Sequence, residues 1–269
     1  MTETGRIIKI VSSRYEVLAA NQERVLCVAM GKLRKAHSPV VGDLVEFERF
    51  ADQNGIQKIL PRKNALVRPS IANVDQAIIV MSCKDPDFST TLIDRLIFSV
   101  CYAGIRPVLC ITKLDLIAEN DAIHEEIQHY IDSGYEVYQS GKGYASEDLI
   151  QALKGNISVL TGQSGAGKSS LLNRIDPTFH LQTQEISKAL GRGKHTTRHC
   201  ELHEIAGGWV ADTPGFSSLD FTAMNITQLA ECIPDFQNVA AVEDGTIRRE
   251  RYAHYLEIVD MIQKAKPRY

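Results

Sequence analysis

Short apolar runs alternate with turn residues along residues 1–66. Each run is rich in Val, Ile, Leu or Phe, which favours strands over helices. Strands are predicted at Gly5–Val11, Tyr15–Ala19, Val25–Met30, Gly42–Arg49 and Gly55–Leu60. Five strands in so short a stretch indicate a small barrel such as an OB-fold. Pro61-Arg62-Lys63-Asn64 then interrupts the pattern, and we predict a linker there.

From Val67 onward, near-continuous apolar runs alternate with segments of helical periodicity. Strands are predicted at Gln76–Ser82, Pro107–Thr112, Tyr135–Gln139, Asn156–Thr161 and Gly208–Ala211. Helices are predicted at Thr91–Ala103, Ala122–Asp132, Ser146–Leu153 and Lys168–Arg174. This alternation predicts an α/β domain whose parallel sheet is covered on both faces. A short tail follows Phe221, in which Tyr252, Leu256, Val259 and Ile262 share one helical face.

Composition narrows the class of protein without identifying it. The hydrophobic fraction of 44% is ordinary for a globular protein. The net charge of −3 argues against a protein that coats nucleic acid without sequence specificity, but it is compatible with a local basic patch. No apolar run has the roughly 18 residues of a membrane span, and the polar N-terminus is unlike a signal peptide. The six cysteines form no C-x-x-C pair and lie mostly in apolar runs. We therefore expect a cytoplasmic protein with buried free thiols and no membrane association.

A phosphate-binding loop is predicted at Gly162–Ser169, which fits the pattern G-x-x-x-x-G-K-[ST] between a strand and a helix. Its glycines allow backbone N–H groups to wrap around phosphates. Lys168 would neutralise phosphate charge, and the Ser169 hydroxyl would bind Mg²⁺. The alternative, a flexible glycine turn, does not account for the strand–loop–helix context. The residues of this loop are Gly162, Gln163, Ser164, Gly165, Ala166, Gly167, Lys168 and Ser169.

Base recognition is predicted at Thr112-Lys113-Leu114-Asp115, which resembles the guanine motif Asn-Lys-x-Asp with Thr in the first place. An ionised Asp115 only accepts hydrogen bonds, and guanine offers N1–H and the 2-amino group side by side, which adenine does not. Lys113 would lie over the base. Ser140-Gly141 follows another strand and could place an N–H near guanine O6, although a plain turn explains it equally well.

Two segments have the character of nucleotide-sensing switches. Asp212-Thr213-Pro214-Gly215 ends a strand, so Asp212 would hold Mg²⁺ through water and the Gly215 N–H would contact the γ-phosphate. Asp52-Gln53-Asn54-Gly55 has the same D-x-x-G pattern but fits a hairpin turn better. The basic loop Gly191–Arg198 suits a first switch, with Thr197 or Thr196 completing the Mg²⁺ shell. A solvated basic loop is the alternative.

The attacking water needs a residue to orient it. Ras-like enzymes carry Gln after the D-x-x-G motif, but Phe216 holds that place here. His195 is our candidate for orienting the water, and we expect it to act in catalysis with Lys168 and Thr197. His195 could instead contact RNA or solvent.

In the barrel, Lys32, Arg34 and Lys35 cluster in one predicted loop and suggest RNA contact, against the alternative of a solvated loop.

The order of the motifs is the informative feature. Ordinary GTPases carry the phosphate loop before the base motif, whereas Asp115 precedes Gly162 here. Ligand loops lie at the carboxyl ends of parallel strands, so the site depends on adjacency in space and tolerates circular permutation. The sequence thus predicts a permuted GTPase that binds GTP, GDP and Mg²⁺.

The chain resembles the bacterial ribosome small subunit-dependent GTPase A family along nearly its whole length. The resemblance is carried by the permuted order together with GRGKHTTR, DTPGFSSLD, and AVEDG followed by RYAHYLEIV. It implies an OB-fold, a GTP-hydrolysing core, a role in late maturation of the small ribosomal subunit, and stimulation of hydrolysis by that subunit. With the limits drawn from the sequence pattern, we predict an OB-fold RNA-binding domain at 1–66, a GTPase domain at 67–220 and a reduced helical segment at 221–269. We also predict a monomer that contacts the rRNA of the subunit. The nucleotide contacts carried over by motif are Thr112–Asp115 and Gly162–Ser170, which adds Ser170 to the phosphate loop.

The chain departs from this family at one place. Members typically carry a Cys₃His zinc knuckle before the AVEDG segment, whereas here Cys232 stands without nearby Cys or His. A structural zinc site needs four ligands, so we expect no zinc and no ribosome contacts through the knuckle. A natural loss and an engineered deletion would leave the same sequence.

Two alternatives to a switch enzyme remain open. The first is an RNA-binding module that nucleotide regulates, and the second is an ATPase or kinase, against which Asp115 argues.

Overall fold

The structure, a computed structural model, describes residues 2–31, 33, 38–66, 70–143, 147–177, 201–211, 220–233 and 247–265. Five strands at the N-terminus form a closed barrel in the order β1-β2-β3-β5-β4. They are β1 (Thr2–Val11), β2 (Arg14–Ala19), β3 (Arg24–Ala29), β4 (Leu44–Arg49) and β5 (Asn54–Ile59). The barrel predicted from the apolar pattern is confirmed. Its interior is filled by Ile7, Val17, Val25, Cys27, Val45, Phe47 and Ile56.

Two details of the barrel bear on the predictions. Gly42 lies before β4 instead of within it, because its φ is +87° and a Cβ there would stand 2.0 Å from the Ala72 carbonyl oxygen. The Asp52–Gly55 segment runs from the turn after β4 into the start of β5, and the two strands pair antiparallel with Arg49 opposite Asn54. That segment is therefore a hairpin connection, as predicted, and not a nucleotide switch.

A six-stranded sheet in the order β10-β9-β8-β11-β13-β12 forms the centre of the molecule. Its strands are β8 (Gln76–Ser82), β9 (Arg106–Thr112), β10 (Glu136–Gln139), β11 (Ile157–Gly162), β12 (Leu202–Ile205) and β13 (Gly208–Ala211). All neighbours pair in parallel except β12, which forms an antiparallel hairpin with β13. The parallel sheet is confirmed, and β12 is an edge strand that the sequence pattern did not predict.

Helices cover both faces of this sheet. They are α1 (Thr90–Tyr102), α2 (Ile123–Asp132), α3 (Glu147–Leu153), α4 (Lys168–Ile175), α5 (Ile226–Cys232) and α6 (Arg249–Lys264). Side chains alternate along β8, so Ile79 packs toward α1, α2, α5 and α6, whereas Ile78 packs toward α3 and α4. The four predicted helices are confirmed to within a residue at their described ends. None of the helices in the described ranges is long and apolar enough to cross a lipid bilayer.

The C-terminal helix is present, and its predicted apolar face is half correct. Val259 and Ile262 pack against the core, whereas Tyr252 and Leu256 are exposed. The buried positions of α6 are Arg251, Tyr255 and Ile258. Arg251 is only 6% exposed and lies beside the buried Asp94, so the packed face of α6 includes a charged residue that the apolar pattern does not reveal.

The segment between the barrel and the sheet is firmly held. The Arg62 guanidinium makes an ion pair of 2.6 Å with the fully buried Asp43. Asn64 donates its side-chain amide to the Val74 carbonyl at 2.8 Å. Two short strands, β6 (Ala65–Leu66) and β7 (Ile71–Ala72), pair just beyond it. The predicted linker at Pro61–Asn64 is thus an ordered junction, while the domain limits 1–66, 67–220 and 221–269 stay predictions.

The described cysteines are free thiols. Cys27, Cys83, Cys101 and Cys110 are buried, as predicted, and Cys232 is partly exposed. Burial raises the pKa of Cys110 to about 12, so this thiol carries its proton at neutral pH. Cys200 lies outside the described residues.

Candidate nucleotide-binding site

The phosphate loop runs from the end of β11 to the start of α4, in the context that its sequence predicts. Gly162 has φ +128°, and a Cβ there would stand 2.0 Å from the Val80 carbonyl oxygen, so no other residue fits at this point. Gly167 precedes α4 with φ +92°, and no side chain caps that helix. Because the N-terminus of a helix carries partial positive charge, the start of α4 favours an anion.

Lys168 is folded back over the loop that precedes it. Its ammonium donates to the carbonyls of Gly162 at 2.9 Å and Gln163 at 2.6 Å. This places a positive charge inside the curve of the loop, beside the N-terminus of α4. Both features favour a phosphate group at this position.

The base motif follows β9 directly and is tied to the phosphate loop. The buried Thr112 hydroxyl donates to the Ala166 carbonyl at 2.6 Å. Lys113 has a left-handed backbone, and a single 3₁₀ turn over Leu114–Leu116 brings Asp115 to the edge of the sheet. The Lys113 ammonium donates to the carbonyl of Lys84 at 3.2 Å and to that of Asp85. Thr112 therefore links the strand carrying the base motif to the loop expected to hold phosphate.

The Ser140-Gly141 loop after β10 lies against the base motif. The Leu114 N–H donates to the Ser140 carbonyl at 3.3 Å, and the Lys142 N–H donates to Asp115 Oδ1 at 3.0 Å. The Arg174 guanidinium on α4 donates to Ser140 Oγ at 2.9 Å and to the Gly141 carbonyl at 3.0 Å. Sequence reasoning missed Arg174, because it lies beyond the phosphate-loop motif and no spacing rule connects it to a loop after β10.

The structure thus brings together the loops after β9, β10 and β11, which are predicted to hold base and phosphate. The loop after β8 joins them: it was not predicted and contributes the carbonyls that Lys113 contacts. The chain reaches Asp212 from β13, which pairs with β11 and places Ala211 opposite Val159. Several predicted residues lie outside the described ranges: Lys32, Arg34, Lys35, His195, Thr196, Thr197, Asp212, Gly215 and Phe216.

Residues 59–222 match the sequence profile of the family described as "RsgA GTPase". Residues 4–56 match the profile of the RsgA N-terminal domain. The chain belongs to the RsgA GTPase family. A small ribosomal subunit biogenesis GTPase, RsgA 2 of Oceanobacillus iheyensis, is 45% identical and covers 98% of this chain and 99% of its own. The Bacillus subtilis RsgA is 42% identical with the same coverage.

Two solved structures share the fold. YloQ, described as a circularly permuted GTPase, has a TM-score of 0.83 and 36% identity, covering 100% of this chain and 98% of its own. YjeQ from Thermotoga maritima has a TM-score of 0.83 and 31% identity, covering 99% of this chain and 100% of its own. This chain is therefore a GTP hydrolase of permuted topology, in which the predicted base motif precedes the predicted phosphate loop and lies beside it.

The described part of the chain contains no group of three or more His, Cys, Asp or Glu residues able to hold a metal ion. Cys232 is described, and its thiol lies 3.2 Å from the Leu229 carbonyl. The AVEDG segment, residues 241–245, falls outside the described ranges. The expectation that zinc is absent stays a prediction.

Proposed function

We propose that this member of the RsgA GTPase family hydrolyses GTP to GDP and phosphate as a step in biogenesis of the small ribosomal subunit. The observation that carries the proposal is the junction between the base motif and the phosphate loop. Thr112 bonds to Ala166, and Asp115 lies beside the loop at Ser140. A guanine-specific site requires these groups at the carboxyl ends of neighbouring strands, and the contacts between these loops support that assignment.

Each proposed role follows from the chemistry of the side chain. Asp115 accepts from guanine N1–H and the 2-amino group, while an N–H of Gly141 or its neighbour faces O6. Residues Gly162–Ser170 wrap the phosphates, and the Lys168 ammonium neutralises the charge that develops on them. His195 orients the attacking water, and the Gly215 N–H contacts the γ-phosphate.

The phosphate loop also suits Mg²⁺. In support, Ser169 lies in the first turn of α4, a helix whose start has no side-chain cap. We assign Ser169, Asp212 and Thr197 or its neighbour Thr196 to the metal. When bound, Mg²⁺ neutralises charge on the β- and γ-phosphate oxygens.

The partner is the small ribosomal subunit, which the names of the relatives specify for those proteins. For this chain we propose a cytoplasmic monomer that contacts rRNA through the basic barrel loop with Lys32, Arg34 and Lys35. We also propose that it lacks the zinc knuckle. In support, alignments with the two relatives extend over 294 and 295 positions, more than the 269 residues of this chain, so those relatives carry segments that it lacks.

Phosphate release from GTP and from ATP, each with and without purified small subunits, tests the proposal. We expect release from GTP only, and faster release with subunits. Subunit binding that depends on nucleotide without stimulated release would support the RNA-binding module instead. Equal release from ATP and GTP would refute the proposed guanine site.

A further inference from the structure

Arg174 connects the two halves of the nucleotide site. It lies in the last turn of α4, the helix that begins with Lys168 of the phosphate loop. Its Nη1 carries two N–H groups and makes two hydrogen bonds, one to Ser140 Oγ at 2.9 Å and one to the Gly141 carbonyl at 3.0 Å. The guanidinium therefore spans from the phosphate-loop helix to the loop after β10.

That loop is in turn attached to the base motif. The Ser140 N–H donates to the Ile111 carbonyl at 2.8 Å, and Ser140 is only 4% exposed. Two residues later, the Lys142 N–H donates to Asp115 Oδ1 at 3.0 Å. The orientation of the Asp115 carboxylate thus depends on where the loop after β10 lies.

We infer that Arg174 is a positioning residue for guanine recognition. Its two hydrogen bonds hold the Ser140 hydroxyl and the Gly141 carbonyl, and through Lys142 they set the direction of the Asp115 carboxylate. The inference rests on the proposed assignment of Asp115 and Ser140-Gly141 to the base. The position matters because hydrogen-bond donors and acceptors discriminate between bases only when they are held at the correct distance and angle.

Lysine cannot fully replace this arginine. The planar guanidinium presents several donors in a fixed geometry, whereas an ammonium is a compact charge on a flexible stem. Arg174→Lys should therefore keep part of the interaction, and Arg174→Ala should lose all of it. Loss of the interaction weakens contacts to the base and leaves the phosphate contacts of Lys168 in place.

The experiment measures the dissociation constant for GDP, and kcat and KM for GTP, in wild type, Arg174→Ala and Arg174→Lys. We expect Arg174→Ala to raise the GDP dissociation constant and the GTP KM roughly tenfold, because charge-assisted hydrogen bonds are lost, with kcat unchanged. Arg174→Lys should give intermediate values. A purely structural role would lower the melting temperature and the active fraction, hence kcat, and leave KM unmoved.

Arg106→Ala is the matched control. Arg106 also links neighbouring strands, through the side chains of Gln76 and Glu136, but at the amino ends of these strands, away from the predicted nucleotide loops. Its removal should leave GDP binding unchanged. A GDP dissociation constant within about twofold of wild type in folded Arg174→Ala would overturn the inference, because the loss of even one charge-assisted hydrogen bond should have a larger effect. If Arg174→Ala does not fold, wild-type affinity in Arg174→Lys overturns it. Wild type that binds ADP as tightly as GDP would instead refute the proposed function.

Discussion

Thr112 stands where guanine-binding motifs usually carry Asn, and its hydroxyl explains how the substitution is accommodated. The hydroxyl donates to the Ala166 carbonyl at 2.6 Å, and Thr112 itself is buried, with only 5% of its surface exposed. Thr112→Val keeps the shape and removes the donor, which leaves a buried carbonyl without that partner. We expect the free energy of unfolding to fall by about 1–2 kcal/mol in urea titrations. Thr112→Ser retains the hydroxyl as a control, and a Val variant as stable as wild type would contradict this reading.

His195 carries the prediction about catalysis at the residue scale. Phe216 cannot orient water, so intrinsic hydrolysis should be slow and should depend on another group. We expect His195→Ala, assayed with small subunits, to lower kcat at least roughly tenfold, equal to about 1.4 kcal/mol of barrier, with GTP affinity preserved. Full subunit-stimulated turnover in this variant would assign the water to a group supplied by the ribosome.

Helix α6 is anchored by a buried ion pair and not by apolar packing alone. The guanidinium of Arg251 lies 4.6 Å from the ring centre of Tyr135, donates to its hydroxyl at 2.5 Å, and stands 3.6 Å from Asp94 Oδ1. His254, from the same helix, lies 2.7 Å from Asp94 Oδ2. Burial raises the pKa of Asp94, and Arg251 opposes that effect. The charge of Arg251 therefore stabilises an otherwise costly carboxylate.

Removal of this arginine should be strongly destabilising. We expect Arg251→Met to reduce the free energy of unfolding by about 3–5 kcal/mol at neutral pH, because Asp94 loses a charge partner in a buried place. Adding Asp94→Asn should recover part of the loss, which a double-mutant cycle measures. In Arg251→Met the folded-state pKa of Asp94 is raised further, so the folded protein holds this proton more tightly than the unfolded chain. Its stability should then fall as pH rises above the usual Asp range. A cycle with zero coupling would contradict the account.

Strands with an unbroken apolar run could be predicted from sequence, and a strand without one could not. Strands β8 and β13 match their predicted limits, because their sequences are mostly apolar and mostly buried. Strand β12 (Leu202–Ile205) is as short as β13, but His203 and Glu204 interrupt its apolar residues. The buried position of Arg251 and the hydrogen bonds of Arg174 depend on residues distant in sequence. Motif spacing therefore predicted that the loops after β9 and β11 lie together, but not the side chains that connect them to their neighbours.

At the scale of the whole molecule, the barrel and the sheet share one apolar cluster, in addition to the core of each. In this cluster Ile8 of β1 and Val41, just before β4, pack with Ile71, Val74 and Ala77 of β8. Lys9 on β1 also forms an ion pair of 2.7 Å with Glu201, which immediately precedes β12. In sequence, the β12–β13 hairpin lies between the two segments predicted to be switches. Through the Lys9–Glu201 ion pair, the barrel therefore contacts the part of the chain that connects these two segments.

The barrel loop provides a test of subunit contact that leaves the shared core intact. Replacing Lys32, Arg34 and Lys35 together by Ala should weaken small-subunit binding and lower its salt dependence, because up to three phosphate contacts are lost. GDP affinity should not change. A triple Ala variant of the exposed residues Lys154, Arg249 and Lys264 is the control for lost charge. Equal subunit binding by both triple variants would place the rRNA contact elsewhere.

The central claim is that a permuted site selects guanine through Asp115, and a nucleotide swap tests it most directly. The measurement is phosphate release from GTP and from xanthosine triphosphate, by wild type and Asp115→Asn, with small subunits present. An amide donates where the carboxylate accepted, so Asp115→Asn should disfavour GTP and admit xanthosine triphosphate. We predict that the preference reverses by at least roughly tenfold, or about 1.4 kcal/mol. An Asp115→Asn protein that keeps the wild-type preference for GTP would contradict the account.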